Sequence, residues 1–219
     1  GPSGMSDARR SMAGADPRVQ VTFNGEIYNH EVLRDELAAA GHVFRSRCDA
    51  EALVRGYEQH GVEVVHQLDG MFAFAVWDGR DAGRLVLARD RLGKKPLHYV
   101  ERDGRLLFAS EIRALLAHPD VARDLDPIAL DQYLTFGNVP SPRTLFSGIR
   151  KLPPASRLVC TPAGTTLERY WSPLDDPAFD RAVTEDEAGE RVRGCVRDAV
   201  RKRLIGDVPL GALLSGGLD

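Results

Sequence analysis

Cysteine is scarce: 219 residues contain three, Cys48, Cys160 and Cys195. Their number is odd, their spacing is wide, and no C-x-x-C pair or His-rich neighbourhood accompanies them, so neither a disulfide framework nor a zinc site is indicated. Long hydrophobic runs are also missing. None approaches the ~18 residues needed to cross a bilayer, and the N-terminus lacks the apolar segment of a secretory signal. A surplus of one charge is absent as well, since 29 Lys and Arg oppose 32 Asp and Glu, a formal charge of −3, with the signs mixed along the chain. That pattern leaves no footprint for nucleic acid or a membrane surface. With 43% hydrophobic and 28% charged residues, the expectation is a soluble cytoplasmic protein of one or two domains at ~150 residues each.

Gly1-Pro2-Ser3-Gly4 looks like an expression scar, so residues 1–5 stand outside the fold reasoning. Val19, Val21 and Phe23 alternate in Arg18–Phe23, which reads as a strand running into Asn24-Gly25. A helix then follows with Asn29 as its cap, Val32, Leu33 and Leu37 as its stripe, and Gly41 at the left-handed end position. A second helix runs from Asp49 to His60 and stops at Gly61. Strand patterns occupy Met71–Trp77, Arg84–Ala88, Leu97–Val100 and Leu106–Ala109, with turns at Asp78-Gly79 and Asp103-Gly104, which predicts one antiparallel meander. The first of these is apolar at every position, so both of its faces need cover. Ile112–His118 reads as a short helix, and Asp126-Pro127 starts another. Strands near Arg157–Thr161 and Thr166–Trp171 close the region, and Ser172–Asp180 is the linker candidate. Thr184 to Glu187 has capping-box spacing ahead of a helix whose apolar face holds Ala188, Val192, Cys195, Val196, Ala199 and Val200. A buried-strand pattern over Leu210–Leu214 comes last.

Four stretches carry candidate chemistry. Asn24-Gly25 between alternating apolar residues is a strong hairpin signal. Alternatively, its amide and N–H point at one spot and suit an oxyanion formed on a carbonyl. Asp49 in a first helical turn stabilises the positive end of the dipole, or it holds a substrate ammonium group. Cys48 sits beside Arg47 at that same terminus, a setting that lowers a thiol pKa, yet it has no His nearby in sequence to serve as a base. Ser215-Gly216-Gly217 after an apolar strand is either a plain exit turn or a set of backbone N–H groups aimed at phosphate. Arg89–Pro96, with an Asp90 and Arg91 pair, reads as a charged connection inside the meander.

Taken in order, Phe23–His30, Cys48–Glu51, Gly70–Ala75, Arg89–Leu97, Phe108–Ile112 and Leu214–Asp219 resemble the glutamine-dependent asparagine synthetases. The resemblance implies an α+β fold: an N-terminal-nucleophile-hydrolase-like sandwich of antiparallel sheets between helical layers, followed by the first helix and strand of an α/β synthetase domain. It also implies a class II glutamine amidotransferase domain over residues 6–171, a linker over 172–183, and the start of an ATP pyrophosphatase-like domain over 184–219. In that family glutamine is hydrolysed to glutamate and ammonia, and ammonia amidates aspartate activated by ATP with Mg. By matching position Asn24 and Gly25 form the oxyanion hole, and Glu26 and Asp49 bind the amino-acid end of glutamine. Leu214, Ser215, Gly216, Gly217 and Asp219 belong to the ATP loop, and no resident metal site is implied.

The departures from the family pattern shape the expectation. The family nucleophile is an N-terminal cysteine whose α-amine is its base, and the sequence begins Gly1-Pro2. Ser6–Met12 resembles the family segment just before the Asn-Gly motif, which places several dozen family residues upstream, a substrate-binding arginine among them. Family serines likewise fall beyond Asp219. The chain by itself is therefore expected to be inactive, to bind neither ATP nor Mg productively because it holds only the first part of the phosphate loop, and, because opening strands of the fold are missing, to expose a sheet edge and self-associate, or to form a homo-oligomer. Two rivals remain: a non-catalytic scaffold of the same fold, and a related synthetase that amidates another carboxylate or closes a lactam.

Overall fold

The computed structural model describes residues 12–175 and 183–204, together with residues 211 and 216. The chain divides into two compact units, Gly1–Asp175 and Asp176–Asp219.

The first unit contains β1 (Met12–Ala13), β2 (Val19–Ile27), β3 (Gly70–Asp78), β4 (Arg84–Arg89), β5 (His98–Arg102), β6 (Arg105–Ala109), β7 (Ile149–Lys151), β8 (Ser156–Thr161) and β9 (Gly164–Arg169). Its helices are α1 (His30–Ala39), α2 (Asp49–His60), α3 (Ile112–Leu116) and α4 (Pro127–Phe136). One sheet has the order β1-β2-β3-β4-β8-β9 and the other β6-β5-β7. Every pairing is antiparallel.

The alternation of β3 explains the layering. Phe72, Phe74 and Val76 pack with Leu33 and Leu37 of α1 and with Leu53, Val54 and Tyr57 of α2. Ala73 and Ala75 point the other way and meet Leu97, Tyr99 and Leu152 of the second sheet region. Small side chains on that face suit the close approach of stacked sheets, ~10 Å apart. Beyond the second sheet, Val100 and Ile149 pack with Leu115 of α3. The order is thus helices, sheet, sheet, helix, and the doubly apolar β3 is covered on both sides as expected.

Several boundaries follow from local chemistry. Gly41 takes φ 96°, and Gly41 N–H and His42 N–H donate to Ala38 O and Leu37 O, each at 3.0 Å, closing α1 in a Schellman motif. Asp126 accepts from Ile128 N–H and Ala129 N–H ahead of Pro127, which starts α4. Tyr57 OH donates to Asp78 Oδ2 at 3.1 Å and ties α2 to the end of β3.

Three expectations change. The predicted single meander is two sheets, because β4 pairs with β8 while β5 pairs with β6 and β7. The cause lies in the connection: the Asp90 carboxylate accepts from the N–H groups of Phe72, Leu92, Lys94 and Lys95, and Arg89 donates to the carbonyls of Lys95, Leu152 and Gly93. These bonds fold residues 90–96 into a compact crossing between sheets rather than a hairpin. Arg91 does not pair with Asp90; its guanidinium lies 6.0 Å from the centre of the Trp171 ring. Second, Asn24-Gly25 is not a turn, since β2 continues through it in register with Ala73 and Phe72 of β3. Third, Asn29 occupies the cap position of α1 without a side-chain cap bond. Its amide instead donates to Gln67 O at 2.8 Å and accepts from Asp69 N–H at 2.9 Å.

In the second unit, α5 (Glu185–Arg203) begins with the predicted capping box between Thr184 and Glu187. None of its residues is buried. The strand expected over 210–214 lies outside the described residues, Gly211 apart, which is exposed and in neither helix nor strand.

Candidate functional site

The site is built where β2 leaves the sheet. Residues two apart on a strand share a face, so Asn24 and Glu26 both project to the side on which Ala73, the cross-strand partner of Asn24, meets the second sheet. Asn24 Nδ2 donates to Ser110 Oγ at 3.2 Å, just past β6. Between them Gly25 has φ 156°, and a Cβ there would lie 2.1 Å from Met71 O and 2.7 Å from Phe72 Cα. Only glycine lets the two backbones come this close.

Asp49 reaches this strand end from the first turn of α2, and its Oδ2 accepts from Ile27 N–H at 3.1 Å. The loop before it is held by Glu51, which accepts from Arg45 N–H at 2.9 Å, Ser46 N–H at 2.6 Å and Ser46 Oγ at 2.7 Å. Glu51 is buried against Arg55, 3.6 Å away. Burial alone would push its carboxyl up; the Ser46 hydroxyl and the two backbone N–H groups hold it below the ordinary value instead. On the other side His30 Nδ1 donates to Ile27 O at 2.8 Å. The exit of β2 is thereby pinned from both flanks.

The charges at this end are mostly negative. Burial pushes the Glu26 carboxyl up, the neighbouring Asp49 charge adds to the rise, and His30 and Lys95 oppose it. Lys95 arrives on the Asp90-centred crossing. Cys48 departs from the sequence expectation: burial pushes its thiol up, outweighing the helix-terminal N–H groups, and its Sγ–H faces Asp49 Oδ1 at 3.5 Å. A thiol donating to a carboxylate is a poor nucleophile. Chemically, the arrangement offers a cation-binding end at Glu26 and Asp49, and an amide donor at Asn24 on the same strand face.

Residues 4–171 match the glutamine amidotransferase domain family. The chain belongs to that family. Residues 191–219 match the asparagine synthase family. The amidotransferase chain is 40% identical over 200 residues to asparagine synthetase [glutamine-hydrolyzing] 3 of Bacillus subtilis, covering 91% of this chain and 32% of that protein. It is 38% identical over 206 residues to asparagine synthetase [glutamine-hydrolyzing] 1 of the same organism, with 93% and 32% covered. The chain thus spans about a third of the length of these relatives. Among solved structures, an allosteric regulatory enzyme of purine biosynthesis superposes with a TM-score of 0.50 at 18% identity, covering 74% of this chain and 31% of that one, which supports the fold.

Within the amidotransferase unit, four sequence candidates, Asn24, Gly25, Glu26 and Asp49, come together at one strand end. Of the ATP-loop candidates, Leu214, Ser215, Gly217 and Asp219 lie outside the described residues, and Gly216 is exposed in a bend. No group of three or more His, Cys, Asp or Glu side chains suited to a metal ion occurs among the described residues. No helix among them is long and apolar enough to cross a membrane. The sequence reading passed over Ser110, His30 and Lys95. Ser110 lies inside Phe108–Ile112, a segment noted for its resemblance but given no role; its partner is 86 residues away, beyond the reach of local pattern.

Proposed function

We propose that the first unit binds glutamine and serves its hydrolysis to glutamate and ammonia, within a glutamine-dependent asparagine synthetase. In this reading Glu26 and Asp49 hold the α-ammonium end of glutamine, and Asn24 Nδ2 with Gly25 N–H stabilises the oxyanion formed on its side-chain carbonyl. The observation that carries it is the placement of Asn24 and Glu26 on one face of β2, with Asp49 delivered to the same strand end. In this reading turnover uses an N-terminal cysteine thiolate with its own amine as base, and Cys48, whose thiol burial pushes up, is not suited to that role. Aspartate, ATP with Mg at the Leu214–Asp219 segment, self-association and a cytoplasmic setting belong to the same reading. The strand edge of β2 supports self-association: β1 pairs it only at Gln20 and Val21, so Thr22–Ile27 has no outer strand partner among the described residues.

The test is a steady-state glutaminase assay on a polypeptide carrying this chain behind a complete family N-terminal segment with a free cysteine. Asn24→Ala is expected to lower kcat by roughly 10²–10³. Asp49→Ala should mainly raise KM, because the ammonium contact is present in ground and transition states alike. Cys48→Ala should change neither. An inactive Cys48→Ala beside an active Asn24→Ala overturns the reading.

A further inference from the structure

We propose that Ser110, held in place by His98, is a positioning residue that fixes the orientation of the Asn24 side-chain amide. The inference rests on the glutamine reading of Asn24 for its functional meaning, though not for its geometry.

Among the described residues, the surroundings of Asn24 provide little else to hold it. Across the sheet its register partner is Ala73, and the next in that row is Arg89. A methyl group cannot restrain an amide. Arg89 is committed elsewhere, with its three guanidinium nitrogens donating to Lys95 O at 2.7 Å, Leu152 O at 2.7 Å and Gly93 O at 2.6 Å. On the outer side of β2, β1 reaches only Gln20 and Val21. The directed contact is therefore the one from the second sheet, Nδ2 to Ser110 Oγ. With one amide hydrogen so engaged, the other is left pointing in a defined direction.

Ser110 is itself anchored. His98 Nδ1 lies 3.1 Å from Ser110 O, and since a carbonyl only accepts, the ring carries its proton on Nδ1. His98 opens β5 and is paired on both sides, with Ala109 and with Lys151. Burial pushes the imidazole below its ordinary pKa, and the neighbouring Arg89 and Lys151 charges add to the fall. Ser110 has no competing duty as a helix cap, because the cap of α3 is Glu111 and makes no side-chain cap bond. A serine placed two residues before a helix, with its hydroxyl turned to a strand 86 residues away, serves that strand.

The test is NMR of this chain without glutamine, reading the Asn24 χ1 couplings and the order parameter of its NH₂ group. Wild type should show a single rotamer. Ser110→Ala should average the couplings while leaving Tm within about 2 °C, and Ser110→Thr, which keeps the hydroxyl, should restore them. His98→Leu should average them in part, whereas His98→Asn, whose amide can replace Nδ1–H, should not. Unchanged couplings in Ser110→Ala overturn the proposal, and so does averaging that is equal in the Ala and Thr variants. In the glutaminase assay Ser110→Ala should lower kcat about three- to tenfold with KM unchanged, a fraction of the effect of losing the donor itself. Couplings that behave as expected alongside unaltered turnover in Asn24→Ala would reject the glutamine reading and leave the positioning intact.

Discussion

Helices α2 and α5 make opposite use of similar local signals. The better-capped is α5, with a reciprocal capping box, acidic residues in its first turn and basic ones in its last, yet none of its 19 residues is buried. α2 starts at Cys48 with no side-chain cap bond, and eight of its 12 residues are buried, Glu51 and Arg55 among them. Caps and periodicity determine where a helix begins. A surface within the same unit determines whether it is locked in place. That lock lets α2 present Asp49 to β2 at hydrogen-bond distance.

Substitutions should separate the two helices sharply. Glu51→Ala removes the acceptor for three donors in the loop before α2 and one partner of buried Arg55, and is expected to cost about 3–5 kcal/mol. Leu53→Ala, at a fully buried position, should cost about 2–5 kcal/mol. Val196→Ala on α5, at 56% exposed, should stay within about 0.5 kcal/mol. Urea unfolding followed by tryptophan fluorescence reports the first unit, since Trp77 and Trp171 both lie in it, and far-ultraviolet ellipticity reads α5. A cost below 1 kcal/mol for Glu51→Ala would erase the contrast.

Acid should act mainly on the region that α2 anchors. Arg80, through its side chain and backbone N–H, holds the Asp78 carboxyl at about 2 against an ordinary 3.8, helped by Tyr57 of α2. A carboxyl depressed in the fold gives stability that is present above its unfolded pKa and lost as pH falls through the folded value. Between pH 4 and 2 the first unit should therefore lose about 2 kcal/mol from this group. Melting curves across that window check it, and Asp78→Asn should flatten the acid limb. The exposed pairs of α5, Arg193–Glu190 and Arg201–Asp198, give no comparable term.

The smallest effect is at the cap. Thr184→Ala should cost α5 about 1 kcal/mol of helix stability, seen as lost far-ultraviolet ellipticity; unchanged ellipticity would remove the cap from the comparison.

What was legible in the sequence was whatever depends on neighbours along the chain. The bounds of α2, the Asp126-Pro127 start, the Gly41 stop, the Thr184 box and the need to cover both faces of β3 all follow from local pattern. What stayed hidden depends on distant partners. Asn24-Gly25 carries the strongest hairpin signal in the chain, yet β3 supplies a full row of partners that draws it into β2. Asn29 has the right type for a cap, but Gln67 and Asp69 claim its amide. Cys48 has a helix terminus beside it, and burial outweighs it. The meander fails because one carboxylate, Asp90, gathers four amides and redirects the chain. At the candidate site, resemblance picked out Asn24, Gly25, Glu26 and Asp49, while the Ser110 contact needed the assembled sheets.

The pairing of β4 with β8 sets a condition on the order of synthesis. Residues 90–155 emerge between these strands, and at about 5–20 residues per second a ribosome takes roughly 3–13 s to make them. Through that interval Leu85, Val86, Leu87 and Ala88 form an apolar edge whose eventual partners, Arg157 to Cys160, have not yet been translated. An open edge of this kind adds strands from any neighbour, including the nascent chain on the next ribosome. The β8–β9 hairpin thus moves the open edge of the first sheet from apolar β4 to the mostly exposed, more polar β9, and the speed of translation between Asp90 and Ala155 sets how long the apolar edge waits for that cover.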